Sequence, residues 1–151
     1  MPSIAGDGVK IVLEVLYEPI VVKGNPRPKG SWTAVQTKGG IKFRHASKYG
    51  AAWCEHLASE VKRLWLGPII EGPVTLRLCF YLHKPKTTAR VHAIGGRDGD
   101  IDKLARAVLD AGTGIIYGDD SQVTQLYVVK RYAASENDEA AWIFVSTGEG
   151  R

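Results

Sequence analysis

The chain has 151 residues, of which 44% are hydrophobic and 24% are charged, and its formal net charge is +4. This length suffices for one domain with its own core, and the composition is that of a globular protein. No apolar run approaches the length of a membrane span, and the first residues do not form a signal peptide. We therefore expect a single cytoplasmic domain over residues 1–151, frayed at residues 1–8 and 148–151.

The cysteines and histidines give no sign of a zinc site or a disulfide framework. Cys54 falls in a helical pattern and Cys79 in a strand pattern, and neither has a second Cys or His at zinc-ligand spacing. We predict two reduced, buried cysteines, as in a cytosolic protein.

The first predicted element is a β-rich run over residues 11–22, which a proline ends or divides. Residues 24–32 follow as a loop rich in Gly and Pro, in which Arg27 and Lys29 could meet phosphate. The segment from 19 to 54 contains no acidic residue, and such segregated positive charge is typical of a protein that holds a polyanion. A solvated loop with incidental charge explains Arg27 and Lys29 equally well.

Hydrophobic periodicity predicts a helix and then a strand in the middle of the chain. Residues 47–66 carry apolar side chains at helical spacing, and a Gly-Pro pair ends the pattern. Residues 74–83 alternate between apolar and other side chains, as a strand with one buried face does. The residues expected to face the core are Val74, Leu76, Leu78, Phe80 and Leu82.

A long basic loop over residues 84–97 connects this strand to the most acidic part of the chain. A long loop beside candidate catalytic residues favours a functional role. Its basic residues are Lys84, Lys86, Arg90 and Arg97.

Six of the 16 acidic residues lie between positions 98 and 120, although the chain as a whole is basic. The apolar residues in this stretch recur at helical spacing and predict a helix over 100–111, which two glycines end. Asp98 or Asp100 is the expected N-cap, since a short carboxylate accepts the free amide hydrogens of a first turn.

A second acidic block, Asp119-Asp120-Ser121-Gln122-Val123, follows the predicted helix. That helix would be about 16 Å long, whereas residues 112–119 can span about 26 Å when extended. We therefore expect Asp119 and Asp120 to return beside the N-terminus of the helix.

Two strands complete the chain, over residues 122–132 and 142–145. In the first of them, Val123, Tyr127 and Val129 are expected to share one face. The order β-α-β-α-β-β predicts an α+β domain, in which two main helices pack on a mixed sheet.

Clustered carboxylates repel one another, so folding alone gives little reason to gather them. A divalent cation removes that cost, because Mg²⁺ binds one or two carboxylates together with water and phosphate. The alternative is a solvated turn with an i, i+4 salt-bridge ladder through Asp102, Arg106 and Asp110. An EF-hand is excluded, because Lys103 and Leu109 occupy the positions that require Gly and Glu.

Together the two acidic blocks resemble the signature of the RusA family of Holliday-junction resolvases. The first block reads Asp100-Ile101-Asp102-Lys103-Leu104-Ala105-Arg106-Ala107, and both blocks agree with the signature in residue type and spacing. Two positions depart from it: the family's usual Asn is Lys103 here, and its usual Lys is Arg106. Arg keeps the positive charge but does not release a proton, so a charge-stabilising role survives and a proton-transfer role is in doubt.

The resemblance implies an endodeoxyribonuclease of DNA recombination and repair in the cytoplasm of a bacterium or phage-infected cell. It would use Mg²⁺, with Mn²⁺ as a possible substitute, to resolve four-way DNA junctions by paired nicks. We assign Asp100, Asp102 and Asp120 as metal ligands, Asp119 as a reserve or outer-shell group, and Arg106 as a partner of the reacting phosphate.

The same resemblance implies a homodimer acting on branched DNA. Trp53, Trp65 and the strand over 142–145 are candidate dimer contacts, although a core role is the commoner use of such residues. The residues expected to contact DNA are Arg27, Lys29, Lys84, Lys86, Arg90, Arg97 and Lys103.

Two other functions fit the same sequence. One is a DNA-binding module without catalysis, whose acidic cluster is structural, and the other is a metal-dependent nuclease for another branched substrate. Cleavage of labelled four-way junctions with and without Mg²⁺ would distinguish them.

Overall fold

The structure, a computed structural model, describes residues 14–30, 32–45 and 48–147. These residues form two α-helices, α1 (Lys48–Leu64) and α2 (Ile101–Gly112). Their strands are β1 (Ile20–Lys23), β2 (Trp32–Thr37), β3 (Gly40–His45), β4 (Val74–Leu82), β5 (Val123–Tyr132) and β6 (Ala140–Thr147). The ends expected to be frayed, residues 1–8 and 148–151, lie outside the described residues.

Four of the strands form one mixed sheet in the order β1-β6-β4-β5, and β2 and β3 form a separate antiparallel hairpin. β4 pairs parallel with β5 and antiparallel with β6, while β1 pairs antiparallel with β6. The parallel pair needs a crossover, which α2 supplies. The predicted α+β class and mixed sheet are confirmed, and the hairpin is an addition to the predicted order.

The core lies between the helices and one face of the sheet. The five apolar side chains predicted to face inward from β4 are at most 2% exposed. Burying a side chain of this size contributes about 1.5–3 kcal/mol, so this face is a main source of stability. α1 and α2 contact each other and cover it. Their principal buried residues are Trp53, Leu57, Val61, Leu104, Ala105 and Val108.

The aromatic residues considered as dimer contacts belong mainly to this core. Trp53 is 5% exposed and Trp65 is 9% exposed, so the core role holds for both. β6 lies between β1 and β4 and therefore presents no free edge. In the predicted contact segment 142–145, only Phe144 is strongly exposed, on the face of the sheet away from the helices.

Both cysteines are free, but they are half-buried, so the prediction of buried thiols is wrong in that respect. Cys79 alternates with Leu78 and Phe80 on β4 and so points away from the helices. Partial burial still raises the pKa of the Cys54 thiol.

The beginning of β5 departs from regular alternation. Val74 pairs with Val123, but Thr75 pairs with Gln125, so the register shifts by one residue. Val123 consequently packs against the core, whereas Tyr127 and Val129 are 49% and 41% exposed. The expectation that Val123 shares a face with them is wrong, because the bulge changes the side to which it points.

Element boundaries differ modestly from the expected ones. Pro19 divides the first β-rich run, since Leu16 forms an isolated bridge with Ser146 and β1 begins only at Ile20. The part of that run over 11–13 lies outside the described residues, as does residue 47 at the predicted start of α1. In the described part of the chain, no helix is long and apolar enough to cross a membrane.

Candidate active site

A glycine turn sets the entry to α2. Gly99 has a φ of 92°, a conformation that L side chains rarely adopt. A Cβ at Gly99 would lie 3.0 Å from Cδ of Pro28, so the proline-rich loop packs directly on this turn. The Lys29 amide donates a hydrogen bond of 3.2 Å to the Lys103 carbonyl and fixes that loop against the first turn of α2.

Asp100 and Asp102 are presented to solvent by this turn. Asp100 takes the N-cap position through its backbone carbonyl, which accepts from the Leu104 amide at 3.0 Å. Its side chain makes no capping hydrogen bond, is 73% exposed, and lies 3.5 Å from Nζ of Lys103. The predicted side-chain cap is therefore wrong, and the carboxylate stays available to a ligand.

Asp98 is buried and has a structural role instead of a capping one. It is 8% exposed, and its Oδ2 accepts from the Gly95 amide at 2.7 Å and the Tyr132 hydroxyl at 2.6 Å. The hydrogen bond to Asp98, followed by burial, raises the pKa of Tyr132, and the nearby Arg90 guanidinium opposes that rise. Asp98 thus fastens the loop before α2 to the end of β5.

The second acidic block is held by Gln122. Its Oε1 accepts from the amides of Gly118 and Asp119 at 2.9 and 3.1 Å. Its Nε2 donates to the carbonyls of Ile70 and Gly72 at 2.7 and 3.1 Å. Asp119 and Asp120 are exposed on the turn that these bonds shape.

The two acidic blocks lie at opposite ends of α2. Lys130, near the end of β5, donates to the Gly99 carbonyl at 2.7 Å, so Asp100 and Asp102 lie at that end of the sheet. Asp120 lies near Tyr117, whose hydroxyl donates to the Leu109 carbonyl at 2.8 Å, at the other end of the helix. The 12 residues of α2 separate these ends by about 18 Å.

The expectation that Asp119 and Asp120 return to the N-terminus of α2 is therefore wrong within one chain. The connection is not extended: the Ile116 amide donates to the Gly112 carbonyl at 2.8 Å, and Gly114 turns with a φ of 81°. Tyr117 is fully buried beneath the turn. Burial, with the nearby charges of Asp120 and Asp110, raises the pKa of Tyr117 above its usual range. β5 then starts where α2 ends.

The predicted metal ligands fit a divalent cation only in part. Asp100 and Asp102 alone supply the one or two carboxylates that Mg²⁺ uses together with water and phosphate. Residues 14–30, 32–45 and 48–147 contain no group of three or more His, Cys, Asp or Glu side chains that could hold a metal ion. Asp100, Asp102 and Asp120 therefore do not fit around one ion in one chain.

Basic residues surround the Asp98 end of α2. A cleft of about 560 Å³ is lined there by Arg27, Arg97, Asp98 and neighbouring residues. The Arg27 guanidinium lies 5.4 Å from the centre of the Tyr49 ring, and Lys84 Nζ lies 5.9 Å from that of Tyr132. These cation–π contacts orient two of the predicted DNA-binding residues.

The remaining predicted DNA contacts differ in how far their charge is already paired. Lys29 forms an ion pair with Asp110, and Lys103 pairs with Asp100. Lys86 and Arg90 are exposed in the loop before α2. Arg106 is exposed on α2 and forms no ion pair with any of the described residues. The proposed ladder through Asp102, Arg106 and Asp110 is therefore absent there.

Sequence reasoning missed the structural parts of the site. Gln122, Asp98 and Tyr132 shape the turns that carry the exposed acids, and Asn25 Oδ1 accepts the His83 amide at 3.0 Å beside the cleft. The only indication of a role for Gln122 in the sequence was its position in the second acidic block, next to Asp119 and Asp120.

Comparison with known proteins gives one family. The model described as "Endodeoxyribonuclease RusA" matches residues 19–138, which is most of the chain and includes both acidic blocks. No curated protein gives a significant match.

Proposed function

Since this chain belongs to the RusA family of endodeoxyribonucleases, we propose that it resolves four-way DNA junctions in a Mg²⁺-dependent reaction, with Mn²⁺ as a substitute. The observation that carries the proposal is the placement of Asp100 and Asp102. Both are exposed at the entry to α2, next to a cleft lined by Arg27 and Arg97. Carboxylates that can bind a metal ion thus lie beside arginines that can bind the phosphate backbone of DNA.

Asp100 and Asp102 would hold the ion. Asp120 lies at the other end of α2, so it would join as a third ligand only from a second chain, with Asp119 beside it as a reserve or outer-shell group. A bound Mg²⁺ supplies a water of lowered pKa and neutralises charge on the phosphate. The chain's basic residues position the DNA: Arg27, Arg97 and Lys84 border the Asp98 end of α2 and can contact successive phosphates.

Arg106 would stabilise negative charge on the reacting phosphate. It lies one turn after Asp102 and has no carboxylate partner among the described residues, so its guanidinium is available to the substrate. Because Arg does not release a proton at neutral pH, this role is electrostatic and not acid–base.

Paired nicking follows from the symmetry of the substrate. A four-way junction has strands related by a two-fold axis, and a homodimer with closed two-fold symmetry would present two equivalent sites to them. We propose this homodimer as the working unit on branched DNA.

A DNA-binding module without catalysis is the second candidate, and the contact of Lys103 with Asp100 favours it. Lys103 stands where the family has Asn, and its Nζ lies 3.5 Å from the Asp100 carboxylate. The side chains are 46% and 73% exposed, however, and exposed ion pairs contribute only about 0–1 kcal/mol. Such a contact does not keep a divalent cation from Asp100, so the nuclease is the better-supported function.

The proposal is tested with Asp100→Asn, Asp102→Asn and Asp120→Asn. Each should lower cleavage of labelled four-way junctions in Mg²⁺ by about a hundredfold or more, while junction binding survives. Glu55→Gln, an exposed change on α1, is the control and should cleave normally. Near-normal nicking by any of the three variants would remove that residue from the ligand set. Binding without cleavage by the unmodified protein, in Mg²⁺ and in Mn²⁺, would favour the binding module.

A further inference from the structure

The cleft at the Asp98 end of α2 is large enough for one nucleotide. Its volume is about 560 Å³, and sites for small molecules typically have about 300–1,000 Å³. Pro26 and Leu82 line it and are buried, so part of its wall is apolar. Asp98 also lines it and stands two positions before Asp100, so their Cα atoms are no more than about 7 Å apart. A group held in the cleft therefore lies next to the proposed metal site.

An exposed tyrosine ring lines this cleft. Tyr49 is 67% exposed, although it belongs to the first turn of α1. The Arg27 guanidinium lies 5.4 Å from the centre of the ring, so it orients the ring and leaves much of its surface open. Folding gains little from a large ring that stays in solvent, whereas an exposed ring offers a surface on which a nucleobase can stack.

Two polar side chains of the cleft are held in place by hydrogen bonds. Asn25 Oδ1 accepts from the His83 amide at 3.0 Å, which leaves Asn25 Nδ2 as a donor without a partner among the described residues. His83 Nδ1 lies 3.2 Å from Glu139 Oε2. A neutral imidazole donates to that carboxylate through Nδ1, so its Nε2 is an acceptor. The cleft thus offers both a donor and an acceptor, as the recognition of a base edge requires.

The charges of the cleft favour an anionic ligand. Arg97 is exposed and forms no ion pair with any of the described residues. The carboxylate of Asp98 already accepts from the Gly95 amide and the Tyr132 hydroxyl. Arg97 and Arg27 are therefore available to a phosphate. A nucleotide has the flat base, the polar edge and the phosphate that these side chains match.

We infer that the cleft binds one unstacked nucleotide of the junction, next to the phosphate that is cut, and that it recognises the base of this nucleotide. Tyr49 stacks on the base, and Asn25 and His83 contact its edge. This inference rests on the proposed function and adds a sequence preference to it. Unstacking a base costs least where its pairing is already weakened, as beside the crossover of a four-way junction.

The first experiment combines Tyr49→Ala with removal of the base. Junctions carry a single abasic site at each nucleotide around the crossover in turn, and binding is titrated in Ca²⁺ without Mg²⁺. At one position, the ratio of the affinities for the intact and the abasic junction should be about tenfold higher for wild type than for Tyr49→Ala. The reason is that the ring stacks only on a base that is present.

Tyr127→Ala is the matched control. Tyr127 is also exposed and also lies under an arginine, Arg77, at 4.5 Å, but it belongs to β5. Its ratio of affinities should equal that of wild type at every position. Equal ratios for wild type and Tyr49→Ala at every position overturn the inference. Circular dichroism checks that each variant retains the fold.

The second experiment tests recognition of the base edge. Junctions with each of the four bases at that position should differ in affinity for wild type by about tenfold between the best and the worst. Asn25→Asp keeps an oxygen that accepts from the His83 amide but replaces the donor with an acceptor, so the preferred base should change. Asn137→Asp makes the same change in the exposed turn before β6 and should keep the wild-type preference. Equal affinities of wild type for all four bases, or an unchanged preference in Asn25→Asp, overturn the recognition of the base by the cleft.

The outcomes separate this inference from the proposed function, because both experiments measure binding and cleavage in Mg²⁺ is measured beside them. A protein that shows the expected ratios and does not cleave keeps the nucleotide cleft and loses the nuclease. A protein that cleaves junctions but shows equal ratios keeps the nuclease and loses the cleft.

Discussion

Gln122 joins the acidic turn that precedes it to the segment before β4, through a single side-chain amide. Its oxygen accepts from two amides of the acidic turn, and its nitrogen donates to two carbonyls before β4. The exposed acids Asp119 and Asp120 owe their position to these bonds. Gln122 is thus a positioning residue, and its removal should affect both folding and the site.

We expect Gln122→Leu to lower the free energy of unfolding by about 1–3 kcal/mol, since partly buried backbone groups lose their partners. Gln36→Leu, an exposed change in the β2–β3 hairpin, should alter it by less than about 0.5 kcal/mol. Urea denaturation followed by circular dichroism measures both. Equal stability of the two variants would show that the four hydrogen bonds contribute nothing net.

At the scale of elements, the entry to α2 depends on Gly99 for two separable reasons. Its φ of 92° strains any L side chain, and a Cβ there would approach Pro28 at 3.0 Å. Gly114 offers a matched comparison, because its φ is 81° but a Cβ there meets nothing within 4 Å.

We expect Gly114→Ala to cost about 1 kcal/mol of stability from backbone strain alone. Gly99→Ala should cost more, about 2–3 kcal/mol, because the proline-rich loop must also move away from α2. The displaced loop carries Arg27 and Lys29, so junction affinity should fall in Gly99→Ala and not in Gly114→Ala. Thermal unfolding and gel-shift titration measure the two effects, and identical values for both variants would rule out a role for the Pro28 contact.

Whether a feature of the fold could be predicted from the sequence depends on how far apart in the chain the residues that determine it lie. The apolar periods of β4 and α2 are local, and they correctly predicted the buried residues Leu76 and Leu78 and, to within one residue at each end, the helix over 100–111. The β2–β3 hairpin lacks a clear apolar alternation, and its Gly39-Gly40 turn was the only local indication of it.

The position of Asp120 could not be predicted from chain length. An eight-residue connection is long enough to return along α2, but the buried Tyr117 and the tight turn at Gly114 use that length locally. The parallel pairing of β4 with β5 decides the outcome, and such pairing joins residues about 50 positions apart. Long-range pairing of this kind has no signature in a local pattern.

At the scale of the whole molecule, a basic chain with an acidic centre should bind DNA chiefly through counterion release. The ion pairs decide which lysines take part. Lys29 is already paired with Asp110, whereas Lys86 is exposed in the loop before α2 and has no ion pair among the described residues. The two lysines, both predicted as DNA contacts, should therefore differ in their effect.

We expect Lys86→Gln to lower the slope of log binding constant against log salt concentration by about one unit, because one phosphate contact is lost. Lys29→Gln should change the slope by much less, since Asp110 already neutralises that charge. Lys62→Gln, an exposed change at the end of α1, is the control and should leave the slope unchanged. Titration of a labelled four-way junction in Ca²⁺, at several salt concentrations, measures all three slopes. Equal slopes for Lys86→Gln and Lys62→Gln would exclude the loop over 84–97 from the DNA-binding surface, and a full unit for Lys29→Gln would show that DNA displaces Asp110.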